Sequence, residues 1–451
     1  MARNDSPPSV SATAAASGRE SGVLRALRHR NFRLFLGGQL ISLIGTWMQM
    51  VAQSWLVYRL TGSSVLLGTV GFAGQIPVFL LAPAAGTVAD RHRRHRIVVA
   101  TQVWAMILAL TLSALVLLEK IQVWHIILLS VLLGVVNAFD MPARQAFIVE
   151  MVGKEDLMNA IALNSSTFNG ARVIGPAVAG VLVAGIGEGW CFFANGVSYL
   201  AVIAGLLMMR LTPRPLPDRT ASPLENVLEG FRYARATLPI RDLLLLVGLV
   251  SLVGMPYTVL MPIFADRILH GGARGLGILM GATGIGALMG ALTVASRKGV
   301  RGLGRLAAAA AAGFGASLIL FSASRWFWLS AGLLVSTGFF MMLQMACANT
   351  LIQSMVPDRL RGRVMALYSM MFMGMAPFGA LFAGVVADRL GAPVTIAVGG
   401  AGCLAGAAVF ASHLPRFRGE ARRLILAQGM VGGEPVEEMT AGNLSNGEAG
   451  E

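Results

Sequence analysis

Residues 86 to 96 read Gly-Thr-Val-Ala-Asp-Arg-His-Arg-Arg-His-Arg, a dense run of charge between two long apolar stretches. Asp90 is the one acid among basic and potentially basic neighbours, so ion-pair chemistry is available here. Such a run is too costly for hydrocarbon and predicts a tight turn at a membrane surface. A second pattern lies on the first apolar stretch, where Gln39, Ser42, Thr46, Gln49 and Gln53 recur at alternating steps of three and four. That spacing makes one polar stripe on a helix. Facing lipid, its amides would be unsatisfied, so the stripe must face protein or a wet cavity. Arg172 falls about a dozen residues into the fifth apolar stretch, where a charge normally meets a cavity or an acidic partner. No acid lies clearly within an apolar centre, since Asp140, Asp242, Asp266 and Asp388 all fall near ends. Arg172 is left with Asp140, with helix carbonyls, or with an anionic group of a substrate. Catalysis finds little support. The six histidines form no metal cluster, and no Ser/His/Asp set or Gly-Lys-Ser/Thr phosphate loop is evident. Neither an enzyme nor a metal, cofactor or ATP drive is expected.

The elements that position these residues follow from composition. The chain is 55% hydrophobic and 13% charged, with mean hydropathy +0.69, which excludes an ordinary soluble domain. About twelve apolar runs are each long enough to cross a bilayer. The formal charge of +14 could suggest nucleic acid, but its distribution argues otherwise. With the 86–96 turn placed in the cytoplasm, most arginines fall on the same side, among them Arg25, Arg28, Arg93, Arg96, Arg210, Arg232, Arg301, Arg359 and Arg418. Arg59, Lys120, Arg267, Arg274, Arg325 and Arg389 fall opposite. This positive-inside bias predicts two cytoplasmic termini. Cys191, Cys347 and Cys403 have no metal spacing and read as packing residues. Residues 1–27 lack an apolar core and read as a disordered tail rather than a signal peptide.

Comparing the chain with itself gives a repeat. Ala162-Leu163-x-Ser165-x-x-Phe168-x-Gly170 matches Ala366-Leu367-x-Ser369-x-x-Phe372-x-Gly374, and Ala179-Gly180 matches Ala383-Gly384, all at a spacing of 204 residues. The fifth run is thereby paired with the eleventh. The expected plan is a tail over 1–27, a six-helix bundle over 28–209 and a second over 242–414. A proline-rich cytoplasmic linker over 210–241, with a surface helix from Leu224 to Arg235, joins them, and a tail over 415–451 follows.

The order Gly86-x-x-x-Asp90-Arg91-x-x-Arg94-x-Arg96 resembles the loop after the second helix of major facilitator superfamily transporters. Within that superfamily the chain is most similar to the drug and siderophore exporter branch, with its enterobactin exporter and macrolide efflux pumps. The residues behind this are Asn31-Phe-Arg-Leu-Phe, Gly45-Thr-Trp-Met-Gln, Asp140-Met-Pro-Ala-Arg-Gln145, Asn164 to Asn169, Ala171 to Pro176, and Arg361-Gly-Arg-Val-Met-Ala-Leu. The resemblance implies an all-α polytopic membrane protein with twelve transmembrane helices in two pseudo-symmetric six-helix bundles, rocking around a central site. It implies a conformational gate of Gly86, Asp90, Arg91, Arg94, Asp140 and Arg144. In this gate Arg94 pairs with Asp140, while Asp90 sits at the start of the eleventh helix near Arg363. Arg93 and His92 depart from the family's glycine and aromatic, and Ser296 to Arg301, the matching loop, lacks the acid. Gly175, Pro176 and Gly180 match a motif of antiporting exporters, although a kinked helix packed through small residues would look the same. The resemblance also favours the cavity for the polar stripe, with Asn137, Asn164, Arg172, Tyr257 and Gln344 as further lining. Met341, Met342, Met345, Met370, Met371, Met373 and Met375 offer adaptable apolar surface, or core filling. The implied function is export of a small amphipathic or anionic molecule, a siderophore or drug, by a proton antiporter. It would act as a monomer in the bacterial inner membrane, with lipid but no nucleic acid as partner. The alternatives are a lysophospholipid-type flippase of the same fold and a transport-inactive receptor.

Overall fold

The computed structural model describes residues 25–153, 155–210, 223–297 and 299–431. The described residues contain twelve helices long and apolar enough to cross a membrane. The first six are α1 (Arg30–Thr61), α2 (Ser64–Arg91), α3 (Arg94–Leu117), α4 (Val123–Val152), α5 (Leu157–Ile186) and α6 (Glu188–Leu207). A short helix, α7 (Pro223–Ala236), precedes the second six. The seventh span, Leu238–Ile268, is made of α8 (Leu238–Leu249) and α9 (Tyr257–Ile263) with a π-helical turn after each. The rest are α10 (Gly272–Ala295), α11 (Leu303–Ala323), α12 (Phe327–Met355), α13 (Asp358–Leu390) and α14 (Ala392–Val431). Spans of 19 or more residues satisfy their mid-span backbone groups internally, which is what hydrocarbon demands.

Connections are short where the chain supplies the chemistry for a turn. Gly62 takes a left-handed φ of 60° and returns its N–H to Tyr58 O, and the Ser63 hydroxyl accepts from Leu66 N to start α2. The charged run of residues 86–96 is tighter than expected. Helix α2 continues through Asp90 to Arg91 and α3 begins at Arg94, so His92 and Arg93 alone form the turn.

Helices pack extensively within each half, and the largest buried apolar core is shared by both halves. In the first, α1 lies against α5 and α6, α2 against α4, and α3 against α4 and α6. In the second, α10 packs on α12, and α11 on α12 and α14. The three cysteines are free and buried, as packing residues should be.

The edges of the expected plan shift. Most of the N-terminal tail, 211–222 of the linker and 432–451 lie outside the described residues. Residues Arg25–Arg28, by contrast, form a helical turn docked on the α4–α5 connection, with Ala26 N donating to Asn159. The tail expected from 415 begins as helix, because α14 runs on to Val431 and buries Phe417 against Phe410. The surface helix is present as α7, and its Glu229 pairs with Arg363 at the start of α13.

Asp156 holds the docked turn. Its carboxylate meets Arg25 at 2.9 Å, Arg28 at 2.7 Å and His29 at 2.7 Å. The His29 hydrogen bond first, and then the two guanidinium charges, hold its carboxyl below the ordinary carboxylate range. A depressed folded value stabilises above the unfolded value of about 3.9 and is lost as pH falls through the folded one. The Asp156 carboxylate's own contribution to the dock should therefore be fully present above about 4 and be lost as pH falls below it. Asp156→Asn should expose the chain to trypsin at Arg25 and Arg28 several-fold faster at neutral pH; an unchanged cleavage rate would mean the dock is held by other contacts.

Candidate functional site

The two halves meet on the arginine-poor side through two crossings of small residues. In the first, α5 crosses α10. A Cβ on Gly277 would lie 2.6 Å from Gly180 Cα and 2.6 Å from Pro176 O. In the second, α2 crosses α13. A Cβ on Gly384 would lie 2.6 Å from Ser64 O and 3.0 Å from Gly68 Cα. Backbones approach this closely only where no side chain intervenes, and dispersion then drives the association. Gly180 and Gly384 are the very pair matched by the internal repeat, so each half presents the same glycine to the other. Gly175 acts within the first half, where a Cβ would lie 2.5 Å from Trp47 Cβ on α1. The Tyr58 hydroxyl, donating to Asp266 at 2.7 Å, adds a polar link on the same side, and Arg267 donates to Gly62 O at 3.3 Å.

Toward the arginine-rich side the crossings end. On α5 the last close approach is at Arg172, whose carbonyl would lie 2.8 Å from a Cβ on Gly284 of α10. Beyond it, Gly170 has open space around its missing side chain, as do Gly86 and Gly362. Ile161, Ser165 and Phe168 are exposed on α5 at steps of four and three, and one further step of four reaches Arg172. Arg172 thus sits midway along α5, where the closed region gives way to the open one.

Around it the structure gathers aromatic rings. The Arg172 guanidinium carbon is 5.6 Å from the centre of the Trp47 ring, and Phe168 meets Trp47 edge-on at 5.5 Å. Across the division between halves, Tyr257 on α9 is the electrostatic neighbour of Arg172. The Tyr257 hydroxyl is buried and makes no close hydrogen bond in this conformation; Thr283, which donates to Leu279 O, leaves its hydroxyl oxygen beside it as the one nearby acceptor among the described residues. Among the described residues no carboxylate lies within ion-pair distance of Arg172. A cation on an aromatic face beside an unsatisfied hydroxyl suits an anionic or polarised group on an otherwise apolar ligand. Tyr257 follows a π-helical turn at Val250–Gly254 and Pro256, so the seventh span is broken at this level. Breaks of this kind mark ligand sites in transporters.

Several expected contacts are replaced by others. Asp140 does not pair with Arg94 or Arg172. It is 5% exposed, bonded to Arg144 at 2.5 Å and accepting from Thr101 at 2.7 Å and Gln102 at 2.9 Å. Arg94 instead meets Glu150 at 2.7 Å and Asp90 at 3.8 Å. Glu150 lies within one turn of the end of α4, level with Arg94 at the start of α3, while Asp140 lies nearly three turns deeper in the span. Gly86 makes no close helix contact in this conformation, since nothing lies within reach of a Cβ there. Arg91 is exposed at the end of α2.

The polar stripe also packs inside the first half rather than lining one open cavity. Gln49 accepts from Asn195 of α6 at 2.7 Å, and Gln53 donates to Ser130 of α4 at 2.8 Å. Gln39 and Ser42 are buried, whereas Thr46 is exposed and donates to Ser42 O. Gln344 is wholly buried on α12 with both amide atoms unpartnered. Asn137 is exposed on α4 and Asn164 half-buried two turns before Arg172. The methionines divide: Met341 and Met345 fill the core, while Met370 and Met373 are exposed. Sequence reasoning missed Trp47, Thr283 and Glu150. The first two are ordinary inside apolar runs, and Glu150 reads as a solvated charge at the end of its helix.

The chain resembles transporters of known kind. It is 25% identical over 377 residues to the staphyloferrin A transporter of Staphylococcus aureus, covering 82% of this chain and 92% of that one. It is 28% identical to the multidrug efflux pump Tap of Mycolicibacterium fortuitum, covering 80% and 90%. It is 26% identical to the enterobactin exporter EntS of Shigella boydii, covering 76% and 81%. Among solved structures, the fold matches a bacterial homologue of the human lysosomal transporter Spinster with TM-score 0.62 at 17% identity, covering 89% and 98%. It also matches a D-xylose–proton symporter with TM-score 0.65 at 12% identity, covering 86% and 97%. The model of the transmembrane secretion effectors matches residues 21–429, and the chain belongs to that family of major facilitator transporters, integral membrane proteins and not enzymes.

Proposed function

We propose that the protein is a secondary active exporter that carries a small amphipathic or anionic molecule, siderophore-like or drug-like, across the bacterial inner membrane by alternating access. The observation that carries this reading is Arg172, a charge without an acidic partner, held on an aromatic face where the closed crossings end. Such a charge is expensive inside a membrane and is retained where a ligand or water meets it. The positive-inside bias makes the open, arginine-rich side cytoplasmic and puts both termini there. The conformation is then the inward-facing one, in which an exporter loads. Residues 28–209 and 242–414 are the two rocking units, acting within one monomer. Asp90, Arg91, Arg94, Glu150 and the Asp140–Arg144 pair form the cytoplasmic gate, which tightens when the outer crossings part. The siderophore and drug efflux names of the relatives support the cargo class. The Gly175–Pro176 kink supports antiport, with a proton as the driving ion.

The experiment is uptake into inverted vesicles, with a panel of anionic and neutral amphipathic dyes and siderophores. Accumulation of anionic members should need an acidic lumen and collapse on adding a protonophore. Accumulation indifferent to the pH gradient would reject proton coupling, and no accumulation of any member would reject export of this cargo class.

A further inference from the structure

Between α3 and α4, on the outer wall of the first half, lies a groove of about 440 Å³. Its walls are Ile97, Ala100, Thr101, Trp104 and Leu108 of α3, with Leu132, Val135, Val136 and Phe139 of α4. Thr101 supplies the one side-chain hydroxyl, and it is turned inward to Asp140 at 2.7 Å. Trp104, 59% exposed, stands at the rim.

Two features point to what occupies it. The first is length. The eleven helical steps from Ile97 to Leu108 rise about 16 Å, close to half of the roughly 30 Å hydrocarbon core. The groove is thus one leaflet deep, and that leaflet is the one on the arginine-rich side, because α3 starts at Arg94. The second is charge. Arg96 precedes Ala100 by four residues, so it continues the groove's own face of α3 beyond its mouth. Arg93, the residue before the helix, lies beside it; both are exposed, and neither makes an ion pair among the described residues. Their neighbour Arg94, by contrast, turns inward to Glu150. A one-leaflet apolar channel capped by two unpaired guanidinium groups matches a lipid with an acyl chain and an anionic head.

We propose that this groove is a binding site for an anionic phospholipid, with the acyl chain along Ile97, Trp104, Leu132 and Val136 and the phosphate at Arg93 and Arg96. The site is separate from Arg172 and the crossings. Its floor is the α3–α4 contact that holds Asp140, so the bound chain backs the Thr101 and Gln102 hydrogen bonds to that carboxylate.

Trp104 reports occupancy. The full-length protein is reconstituted in vesicles of phosphatidylcholine with a small fraction of brominated phosphatidylglycerol, or of brominated phosphatidylcholine as control. The quenching due to Trp104 is the difference between the wild type and Trp104→Phe. Brominated phosphatidylglycerol should quench at a several-fold lower mole fraction than the control. Arg96→Gln should reduce that preference by roughly fivefold, the effect of one basic residue near an anionic surface. Val136→Phe, which fills the groove, should lower quenching by both lipids. Equal quenching by the two brominated lipids in the wild type would overturn the site, leaving a bulk lipid contact. A preference untouched by Arg96→Gln would overturn the headgroup assignment, and relief of quenching by a transported dye would make the groove a cargo site.

Discussion

Gly277→Val should leave both halves folded and cut transport by about fivefold or more. A Cβ alone at this position falls 2.6 Å from the Gly180 Cα and from Pro176 O, both of which are backbone atoms in the middle of α5. Neither can rotate away, so α5 and α10 must separate. Overpacking of this kind costs about 1–3 kcal/mol. The contact is between halves and exists only while the arginine-poor side is closed, so the whole cost falls on that one state. A penalty of that size shifts the balance of states by about 5- to 150-fold. Thr283→Cys provides the readout besides transport, because Thr283 is 3% exposed behind the crossing. With the three buried native cysteines replaced, an impermeant maleimide should label the new thiol from the arginine-poor side only when Gly277→Val is also present. The mirrored change, Gly384→Val, should act likewise through Ser64 O and Gly68. Normal transport with a protected thiol would show that the crossings are permanent packing rather than a moving seal.

Arg172→Ala should lower transport of anionic cargo by about 10- to 150-fold, the worth of roughly 1.5–3 kcal/mol for hydrogen bonds to a charged group. Neutral cargo of the same shape should lose less than about threefold, since only the charge-assisted part is removed. Arg172→Lys should fall between, because it keeps the charge but loses the planar fork and the stack on Trp47. Tyr257→Phe should be milder still, removing a hydroxyl that makes no close hydrogen bond in this conformation. Anionic and neutral cargo falling together would assign Arg172 to structure, acting through Trp47 and the α1–α5 contact.

The polar stripe of α1 shows where local pattern stops being informative. Its period marked one face of a helix, of which Gln39, Ser42 and Gln49 are buried while Thr46 is exposed. Whether that face met water or protein depended on Asn195 and Ser130, some 146 and 77 residues away in the chain. The same limit applied to charge. Asp140 and Glu150 lie on one helix, and either could be named as the partner of Arg94 from composition alone. The depth of each residue in the span decided between them.

Membrane insertion, the number of spans, the internal repeat and the family are legible in the residues alone, because each follows from patterns local to the chain. Hydrocarbon admits only long apolar helices, and the repeat is written directly in the residues. Tertiary structure decided which side of the molecule is shut and which residues surround Arg172. Those facts arise where α5 meets α10 and where Tyr257 approaches from the other half. Glycine at a crossing and glycine at an open position, such as Gly180 and Gly170, are the same letter on the same helix. Only the neighbour that arrives, or fails to arrive, from the far half makes one of them a seal.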